Sequence, residues 1–487
     1  MQTKLRLMFN SEMLLRIGVI LWLLASTVMI GLITRQIAMQ SMTGVHQSGM
    51  YRAALIPLSL VAFIVAVFVL RLRGEYAVLL ILFASMFTPF SLPTGTESRL
   101  VDGLLVSGIF VAVWVLRMIV VEKRLHLKPT LVNLPILIFI LITLLSWLWS
   151  TIARDPWFYV WESYPMVQLA ATVVMILLPA VMLMVGNLVE EKRTLVWLTA
   201  MVLIGGTIGL ISKISRIDLS INTGGLFSMW VVSFAVAMGL FNKEIHIFWR
   251  GVLLLMGGCW LYFGIGPGIT WVSGWLPSLI VIGVMLLMRS WKGFLIGLLI
   301  LMLFVGLNFD YFLNVMQAEA QESLYSRIDA WKMNWRVTRH HLLLGTGPAG
   351  YAVYYVTLFP MEAMATHSNY IDIFSQTGLF GILSLIASII ALGVISVRVL
   401  RRVRGRGDFF ESFVMAIVAG FIGVLVIMGF GDWLFPFAYT QTIAGFDHAV
   451  YTWLFLGALL ALDSMTASFE TEDNYSRSST LFTSVSK

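Results

Sequence analysis

The residues best suited to chemistry lie in one polar stretch, residues 309–367, of a chain otherwise made of apolar runs. The stretch carries Arg327 one helical turn before Trp331, and it ends on His367. An imidazole can take up a proton near neutral pH, and a guanidinium can bind a phosphate through parallel hydrogen bonds. We therefore expect any reaction that the chain performs to take place in this stretch.

Each of these side chains also has a purely structural explanation. Apolar residues recur at helical spacing between residues 322 and 339, which predicts an amphipathic helix at the membrane surface. The residues of this apolar face are Leu324, Ile328, Trp331 and Trp335. Arg327 would lie on the rim of the face, where it can face a cavity mouth or pair with Asp329 or a lipid phosphate. His367 would lie at a helix mouth, where a histidine often has no catalytic role.

Two further features of the chain bear on phosphate binding. Lys213 and Arg216 follow the apolar run at 195–212, and paired cations suit a diphosphate, although both could equally be solvated interfacial charges. The glycine-rich residues 345–350 lack the lysine and serine that continue a nucleotide-binding loop. We interpret them as a sharp turn after the amphipathic helix.

Composition identifies an integral membrane protein. Of the 487 residues, 59% are hydrophobic and only 12% are charged, and the mean hydropathy is +0.91. These values exclude an ordinary soluble domain. The single cysteine, Cys259, can form no disulfide within the chain.

The apolar runs predict an all-α fold, a polytopic membrane helix bundle of about 12 to 14 transmembrane helices. The candidate spans are residues 17–33, 53–70, 76–92, 101–120, 131–150, 165–187, 195–212, 225–241, 247–265, 271–288, 293–308, 372–397, 411–430 and 446–463. The short runs at 76–92 and 271–288 could instead be re-entrant or interfacial.

Basic residues predict the orientation of the bundle. The cluster from Arg398 to Arg406 favours a cytoplasmic loop, which places both termini in the cytoplasm and residues 309–371 on the outer face. The predicted parts are an N-terminal bundle (1–308), a large outer loop with the amphipathic helix (309–371), C-terminal helices (372–463) and a disordered cytoplasmic tail (464–487).

Four motifs in residues 326–381, taken together, resemble the O-antigen ligase and polymerase superfamily. They are Ser326-Arg327 with Trp331, the turn His341-Leu342-Leu343-Leu344-Gly345-Thr346-Gly347-Pro348, His367 with Asn369-Tyr370, and Gln376-Thr377-Gly378-Leu379-Phe380-Gly381. The rest of the chain is similar to that family in architecture, with many spans, one large outer loop late in the sequence, and a basic inner loop after the next helix.

The chain departs from the family pattern at several positions. Leu342 stands where the family often has proline, Ser368 where asparagine is usual, and Gln376 where glutamate is common. The family's Ser-Arg-Gly motif has residues 272–274 as its closest counterpart, without the arginine, and Arg216 is a weak counterpart of another family arginine. These departures leave the substrate and the number of phosphate-binding cations open.

The resemblance implies a GT-C-like membrane glycosyltransferase in the bacterial inner membrane, with its active site on the outer face. Such an enzyme moves or polymerises a glycan from a polyprenyl-diphosphate donor to a glycan, lipid A core or protein acceptor. The expected reaction is inverting and needs no cofactor and no metal, since cations can neutralise the diphosphate and the chain has no Asp-x-Asp pattern. The expected partners are this donor, the acceptor and membrane lipids, and no nucleic acid.

The resemblance also implies roles for individual residues. His367 is the expected base for the acceptor hydroxyl, and Arg327 is the expected cation at the leaving diphosphate. The further donor-diphosphate-binding residues are Arg216, Lys213, Arg339 and His341. The motif positions expected to be structural are Trp331, Gly345, Gly347, Gly350, Asn369 and Gly378.

Other functions remain open at this level. The motifs do not separate a ligase from a polymerase. A flippase or transporter of lipid-linked glycans would use the same outer cations for binding alone, and a structural scaffold would leave them without a role. Few ionisable residues fall in the middle of a predicted span, which favours an enzyme with one outer-facing cavity.

Overall fold

The structure, a computed structural model, describes residues 65, 68, 73–88, 91–93, 99–154, 156–268, 271–319, 325–358, 366–437 and 443–467. All of them belong to the unit that begins at residue 63. The predicted span at 17–33, nearly all of that at 53–70, and most of the predicted tail lie outside the described residues.

Within these ranges the chain is almost entirely helical, so the all-α prediction is confirmed. The helices are α1 (Glu75–Phe87), α2 (Asp102–Leu116), α3 (Asn133–Ile152), α4 (Tyr164–Leu188), α5 (Lys192–Ser215), α6 (Phe227–Phe241), α7 (Ile247–Ile265), α8 (Val272–Arg289), α9 (Trp291–Leu307), α10 (Phe309–Glu319), α11 (Tyr325–Thr338), α12 (Tyr351–Leu358), α13 (Asn369–Val403), α14 (Phe409–Ile427) and α15 (Phe446–Met465). A π-helical turn, Arg117–Val121, continues α2, and a 3₁₀ turn, Ile443–Gly445, precedes α15. Two short strands, β1 (Ser91–Pro93) and β2 (Arg99–Val101), pair antiparallel between α1 and α2.

The helices account for the predicted spans in the described part of the chain. Nine of them are long and apolar enough to cross a bilayer, and α1, α6 and α9 are shorter apolar helices. Together they coincide with every predicted span from residue 76 onward. With 13 residues, α1 is only about 20 Å long, less than the roughly 30 Å hydrocarbon core of a bilayer. The re-entrant alternative for this run therefore stays open.

Small residues allow close packing at the centre of the bundle. Helix α15 packs against α4, and an ideal Cβ at Gly457 would lie 2.6 Å from the Met182 carbonyl oxygen. Across the same interface, a Cβ at Gly186 would lie 2.9 Å from Leu460 Cβ. Lipid chains are as apolar as leucine, so close contact between helices, rather than a hydrophobic effect, stabilises such an interface.

Helix α6 lies at the core, with most of its residues buried against α7, α8 and α14. Its polar groups are paired with neighbouring helices. The Trp230 indole N–H donates to Thr452 Oγ1 at 3.0 Å, and the Ser233 hydroxyl donates to the Ala416 carbonyl at 2.6 Å. Such pairing is required because an unpaired polar group in an apolar interior costs free energy.

The predicted helix is present as α11, and the side that packs on the bundle is distinct from the apolar face that was predicted to lie at the membrane surface. The buried residues of α11 are Ala330, Met333, Asn334, Val337 and Thr338. Trp335, which the sequence placed on the apolar face, is 53% exposed. The helix turns its smaller and polar residues inward because Asn334 and Thr338 hydrogen-bond to Ser375 of α13. Hydrophobicity alone cannot reveal such a preference.

Helix α13 separates two chemically different ends of the bundle. His367 lies just before its N-terminus, and Arg398, Arg401 and Arg402 lie in its last turns. About 30 helical residues, roughly 45 Å, lie between them. Asp463 at the end of α15 pairs with Arg398 at 2.9 Å and with Arg402 at 2.8 Å. The basic cluster and His367 are therefore at opposite ends of the bundle.

The α4–α15 interface gives a test of this packing. Gly457→Ala should lower the free energy of unfolding by about 1–3 kcal/mol, because the added methyl group meets backbone that cannot move aside. The matched control is Gly258→Ala in α7, where a Cβ would meet nothing within 4 Å and the change should be neutral or stabilising. Thermal unfolding of both variants in detergent checks this. Equal midpoints for Gly457→Ala and the native chain would contradict the packing.

Candidate functional site

A break in α13 and the turn before α12 hold each other in place. We call residues 342–350 the glycine turn. Gly378 interrupts α13 with φ 67° and ψ −164°, so the carbonyls of Ser375 and Gln376 lose their helical partners. The Thr346 and Gly347 N–H groups donate to these carbonyls at 2.9 and 3.0 Å. In return, the Leu342 carbonyl accepts a hydrogen bond from the Leu379 N–H at 2.7 Å.

Two glycines are required where these backbones touch. Gly345 and Gly378 both have positive φ, 71° and 67°, a region that favours glycine. A Cβ on Gly345 would lie 2.5 Å from the carbonyl carbon of Gln376, and one on Gly378 would lie 2.3 Å from the Leu343 carbonyl oxygen. Any side chain at either position would push the turn away from α13.

The remaining turn positions are also tightly enclosed. A Cβ on Gly347 would lie 2.2 Å from Ser150 Oγ, and one on Gly350 would meet the Thr346 carbonyl. The Gln376 side chain accepts from the Ala349 N–H at 2.9 Å. A side-chain amide oxygen accepts such a hydrogen bond as readily as a carboxylate oxygen.

Asn369 ties the N-terminus of α13 to a second segment. We call residues 428–437, which follow α14, the return segment. The Asn369 amide donates to the Phe435 carbonyl at 2.7 Å, and its oxygen accepts from the N–H groups of Leu434 and Phe435 at 2.9 and 3.4 Å. Asn369 is fully buried. The return segment is therefore fixed beside the residues that precede α13.

This arrangement brings Asp432 to His367. The His367 Nδ1 atom lies 3.9 Å from Asp432 Oδ1, and the histidine side chain is 45% exposed while that of Asp432 is 4% exposed. The distance is too long for a hydrogen bond but suits an ion pair when the imidazole is protonated. His367 also has a positive φ of 48°, an uncommon conformation for a residue with a side chain.

Helix α11 is anchored on both sides of His367. Arg327 Nη1 donates to the Phe430 carbonyl of the return segment at 3.3 Å. The Trp331 indole N–H donates to the Thr366 carbonyl, one residue before His367, at 2.8 Å. Residues from three separate parts of the chain, namely Arg327, His367 and Asp432, thus converge at one end of the bundle.

A buried polar network around Asp372 supports the backbone next to His367. Asp372, which is 1% exposed, accepts hydrogen bonds from the hydroxyls of Tyr351, at 2.9 Å, and Thr366. Burial, and next the neighbouring Asp372, raise the pKa of Tyr351 well above its ordinary value. The phenol therefore keeps its proton and remains a donor. The network fixes the backbone at Thr366, and with it His367.

The predicted Arg339 and His341 lie at the other end of α11. Twelve residues separate Arg327 from Arg339, which is about 18 Å along a helix. The Arg339 Nε–H donates to His340 Nε2 at 3.1 Å, and the His341 ring contacts the Tyr354 ring with centroids 5.1 Å apart. Burial, and next the neighbouring His340, lower the pKa of His341. One diphosphate cannot reach both ends of this helix.

Lys213 and Arg216 lie at the end of α5, before a loop that reaches the return segment. Arg216 ends α5 in a left-handed conformation with φ 58°, and Lys213 Nζ lies 5.5 Å from the Trp260 ring centroid. The following loop reaches the return segment, because a Cβ at Gly225 would lie 3.3 Å from Trp433. Both cations are exposed.

Sequence reasoning missed Asp432 and Asp372. Asp432 follows a glycine in a short polar interval between two spans, and that interval was the only signal available. Asp372 follows the family-like motif by a few residues but was taken as the mere start of a span. Among the described residues, no group of three or more His, Cys, Asp or Glu could hold a metal ion.

Comparison with known proteins bears on this region. Residues 252–386 match the model of the O-antigen ligase family. This range runs from α7 to the middle of α13 and includes Arg327, the glycine turn and His367. It covers less than half of the chain, and Lys213 and Arg216 lie outside it. No curated protein matches the chain. The resemblance carried by the motifs is confirmed over the matched range.

The Asn369 contacts predict a local effect of substitution. Asn369→Ala leaves the Leu434 and Phe435 N–H groups without their buried acceptor, a loss of about 1–3 kcal/mol. Hydrogen–deuterium exchange of these two amides should become about tenfold faster. Asn308→Ala, which removes an exposed contact to the Phe304 carbonyl, is the control. A uniform increase of exchange throughout α14, with no excess in the return segment, would contradict the local role.

Proposed function

With the O-antigen ligase family matched over residues 252–386, we propose that the protein is a glycosyltransferase whose donor is a polyprenyl-diphosphate-linked glycan. The family accounts for glycan transfer in general. The donor class, the side of the membrane and the residue roles are our proposal. The observation that carries it is the convergence of His367, Asp432 and Arg327 at one end of the bundle.

His367 acts as the general base in this proposal. With Nδ1 turned toward Asp432, a proton on Nδ1 leaves the Nε2 lone pair for the acceptor hydroxyl. The hydroxyl oxygen attacks the anomeric carbon, its proton passes to Nε2, and the bond from that carbon to the diphosphate breaks. Attack opposite the leaving group inverts the anomeric centre. Asp432 then stabilises the imidazolium that forms.

Arg327 neutralises the leaving diphosphate. A guanidinium has five N–H donors, so Arg327 can contact the Phe430 carbonyl and a phosphate together. Lys213 and Arg216, at the end of α5, add positive charge before the loop whose Gly225 lies beside Trp433. Three cations can balance a diphosphate without a metal ion. Arg339 and His341 are too far along α11 to share this group, so we place them with the glycan rather than with the diphosphate.

The basic cluster supports an outer location for the reaction. Arg398, Arg401 and Arg402 lie at the opposite end of α13 from His367. Basic loops favour the cytoplasmic side, so His367 would face away from the cytoplasm. In a bacterial inner membrane this is the side where a lipid-linked glycan is presented after transport.

A transfer assay tests the proposal as a whole. The purified protein in nanodiscs is given a polyprenyl-diphosphate oligosaccharide and a chelator, and the release of polyprenyl diphosphate is measured. A ladder of longer lipid-linked glycans identifies a polymerase, and one product that needs a second acceptor identifies a ligase. Bound donor without any release would contradict the proposal and favour a transporter.

Substitutions at the site separate the two main roles. His367→Ala should lower transfer at least about a hundredfold while donor binding is retained, because only the base is lost. Arg327→Ala should weaken both transfer and donor binding. The matched control is Lys332→Ala on the same helix, whose exposed ion pair with Asp329 contributes little. Full activity in both site variants would refute the assignment.

Asp432 is expected to act through His367 as a positioning residue. Asp432→Asn preserves shape but removes the charge that faces the imidazole, so kcat should fall roughly tenfold to a hundredfold. The donor KM should stay unchanged, since Asp432 does not touch the diphosphate. Steady-state kinetics resolve the two constants. A rise in KM at unchanged kcat would show that Asp432 serves donor binding instead.

A further inference from the structure

A cleft at the far end of α11 is not used by the reaction proposed above. Its volume is about 690 Å3. It lies between the segment after α3, the end of α11, and α12. The lining residues that carry the argument are Arg154, Trp157, Arg336, His340, His341 and Tyr354. We call it the basic cleft.

Two arginines, Arg154 and Arg336, give the basic cleft its positive charge. Neither Arg154 nor Arg336 forms an ion pair within the described part of the chain. Arg154 is nevertheless held in place, because its Nη2 donates to Gln168 at 3.2 Å and its guanidinium lies 4.8 Å from the Tyr164 ring centroid. A guanidinium that neutral side chains hold in place keeps its charge available for an anion.

Aromatic rings form the other walls of the cleft. Phe158 and Tyr354 pack edge to face with centroids 4.4 Å apart, and Trp157 is 90% exposed. Flat aromatic surfaces pack well against the apolar face of a sugar ring. Burial lowers the pKa of His341, which favours the neutral imidazole, and a neutral imidazole both donates and accepts hydrogen bonds with hydroxyl groups.

The cleft is joined to the reaction centre by α12. Tyr354 lines the cleft, and three residues earlier Tyr351 donates to Asp372, which also contacts Thr366 beside His367. Along α11, Arg336 of the cleft lies about 14 Å from Arg327. A glycan of several sugars spans such a distance, whereas a diphosphate does not.

We propose that the basic cleft binds an acidic sugar, one that carries a carboxylate, within the glycan whose end reacts at His367. Arg154 and Arg336 bind the carboxylate, and the aromatic walls contact the ring. The inference rests on the proposed function in that the ligand is a glycan. It adds that the protein selects glycans containing uronic acids, at a site several units from the bond that forms.

Binding of defined oligosaccharides tests the inference. The full-length protein in phosphatidylcholine nanodiscs is titrated with an oligogalacturonate and with a neutral maltooligosaccharide of equal length, by calorimetry. The acidic ligand should bind at least about tenfold more tightly. Arg336→Gln and Arg154→Gln should each remove most of this difference. Lys332→Gln, on the same helix but outside the cleft, should leave it intact.

Several results would overturn the inference. They are equal binding of the two ligands, an unchanged preference in both arginine variants, or displacement of the oligogalacturonate by phosphatidylglycerol in the nanodisc. The last result would assign the cleft to a lipid headgroup. Arg336 is exposed, so its variant should fold normally even if Arg154→Gln does not, and thermal unfolding verifies this.

The same experiment separates this inference from the proposed function. His367→Ala should lose transfer yet keep the preference for the acidic ligand. If the native protein prefers oligogalacturonate but never releases polyprenyl diphosphate, the proposed transferase function fails and the acidic-sugar site stands. If it transfers glycans without any acidic preference, only the site in the basic cleft is refuted.

Discussion

The side chain of Asn369 is the contact on which the arrangement at His367 depends. In the return segment, its amide nitrogen donates to the Phe435 carbonyl, and its amide oxygen accepts from the Leu434 and Phe435 N–H groups. The side chain is fully buried. A buried amide left without partners costs free energy, so the two segments are fixed in one relative position. That position sets the distance between His367 and Asp432.

A second constraint on the position of His367 comes from the break in α13 at Gly378. The interruption of α13 at Gly378 leaves backbone carbonyls that accept hydrogen bonds from the glycine turn and from the Ser146 hydroxyl. These two constraints, with the network around Asp372, hold His367 at a positive φ, a conformation that costs roughly 1–2 kcal/mol for a residue with a side chain. Packing that over-determines a strained residue is typical of functional positions.

Much of the architecture could be predicted from sequence, because apolar length and helix breakers are local properties. The spans from residue 76 onward coincide with helices, and the residues from Gly345 to Gly350 form a turn. The side of α11 that packs on the bundle could not be predicted, because it depends on the hydrogen bond of Asn334 with Ser375 of α13. The place of Asp432 at the site could not be predicted either, because Asp432 and His367 are 65 residues apart in sequence and meet only through tertiary packing. The separation of Arg339 from Arg327, about 18 Å along a helix, already followed from the helix predicted between residues 322 and 339.

The most direct test of the account is a structure of the protein in lipid nanodiscs with a polyprenyl-diphosphate-linked glycan bound. The account predicts the diphosphate within hydrogen-bonding distance of the Arg327 guanidinium, with the anomeric carbon facing His367 and Asp432 behind the imidazole. The glycan would extend away from that point toward Arg336 and Tyr354. A diphosphate bound between Arg154 and Arg336, with His367 remote from the anomeric carbon, would contradict it.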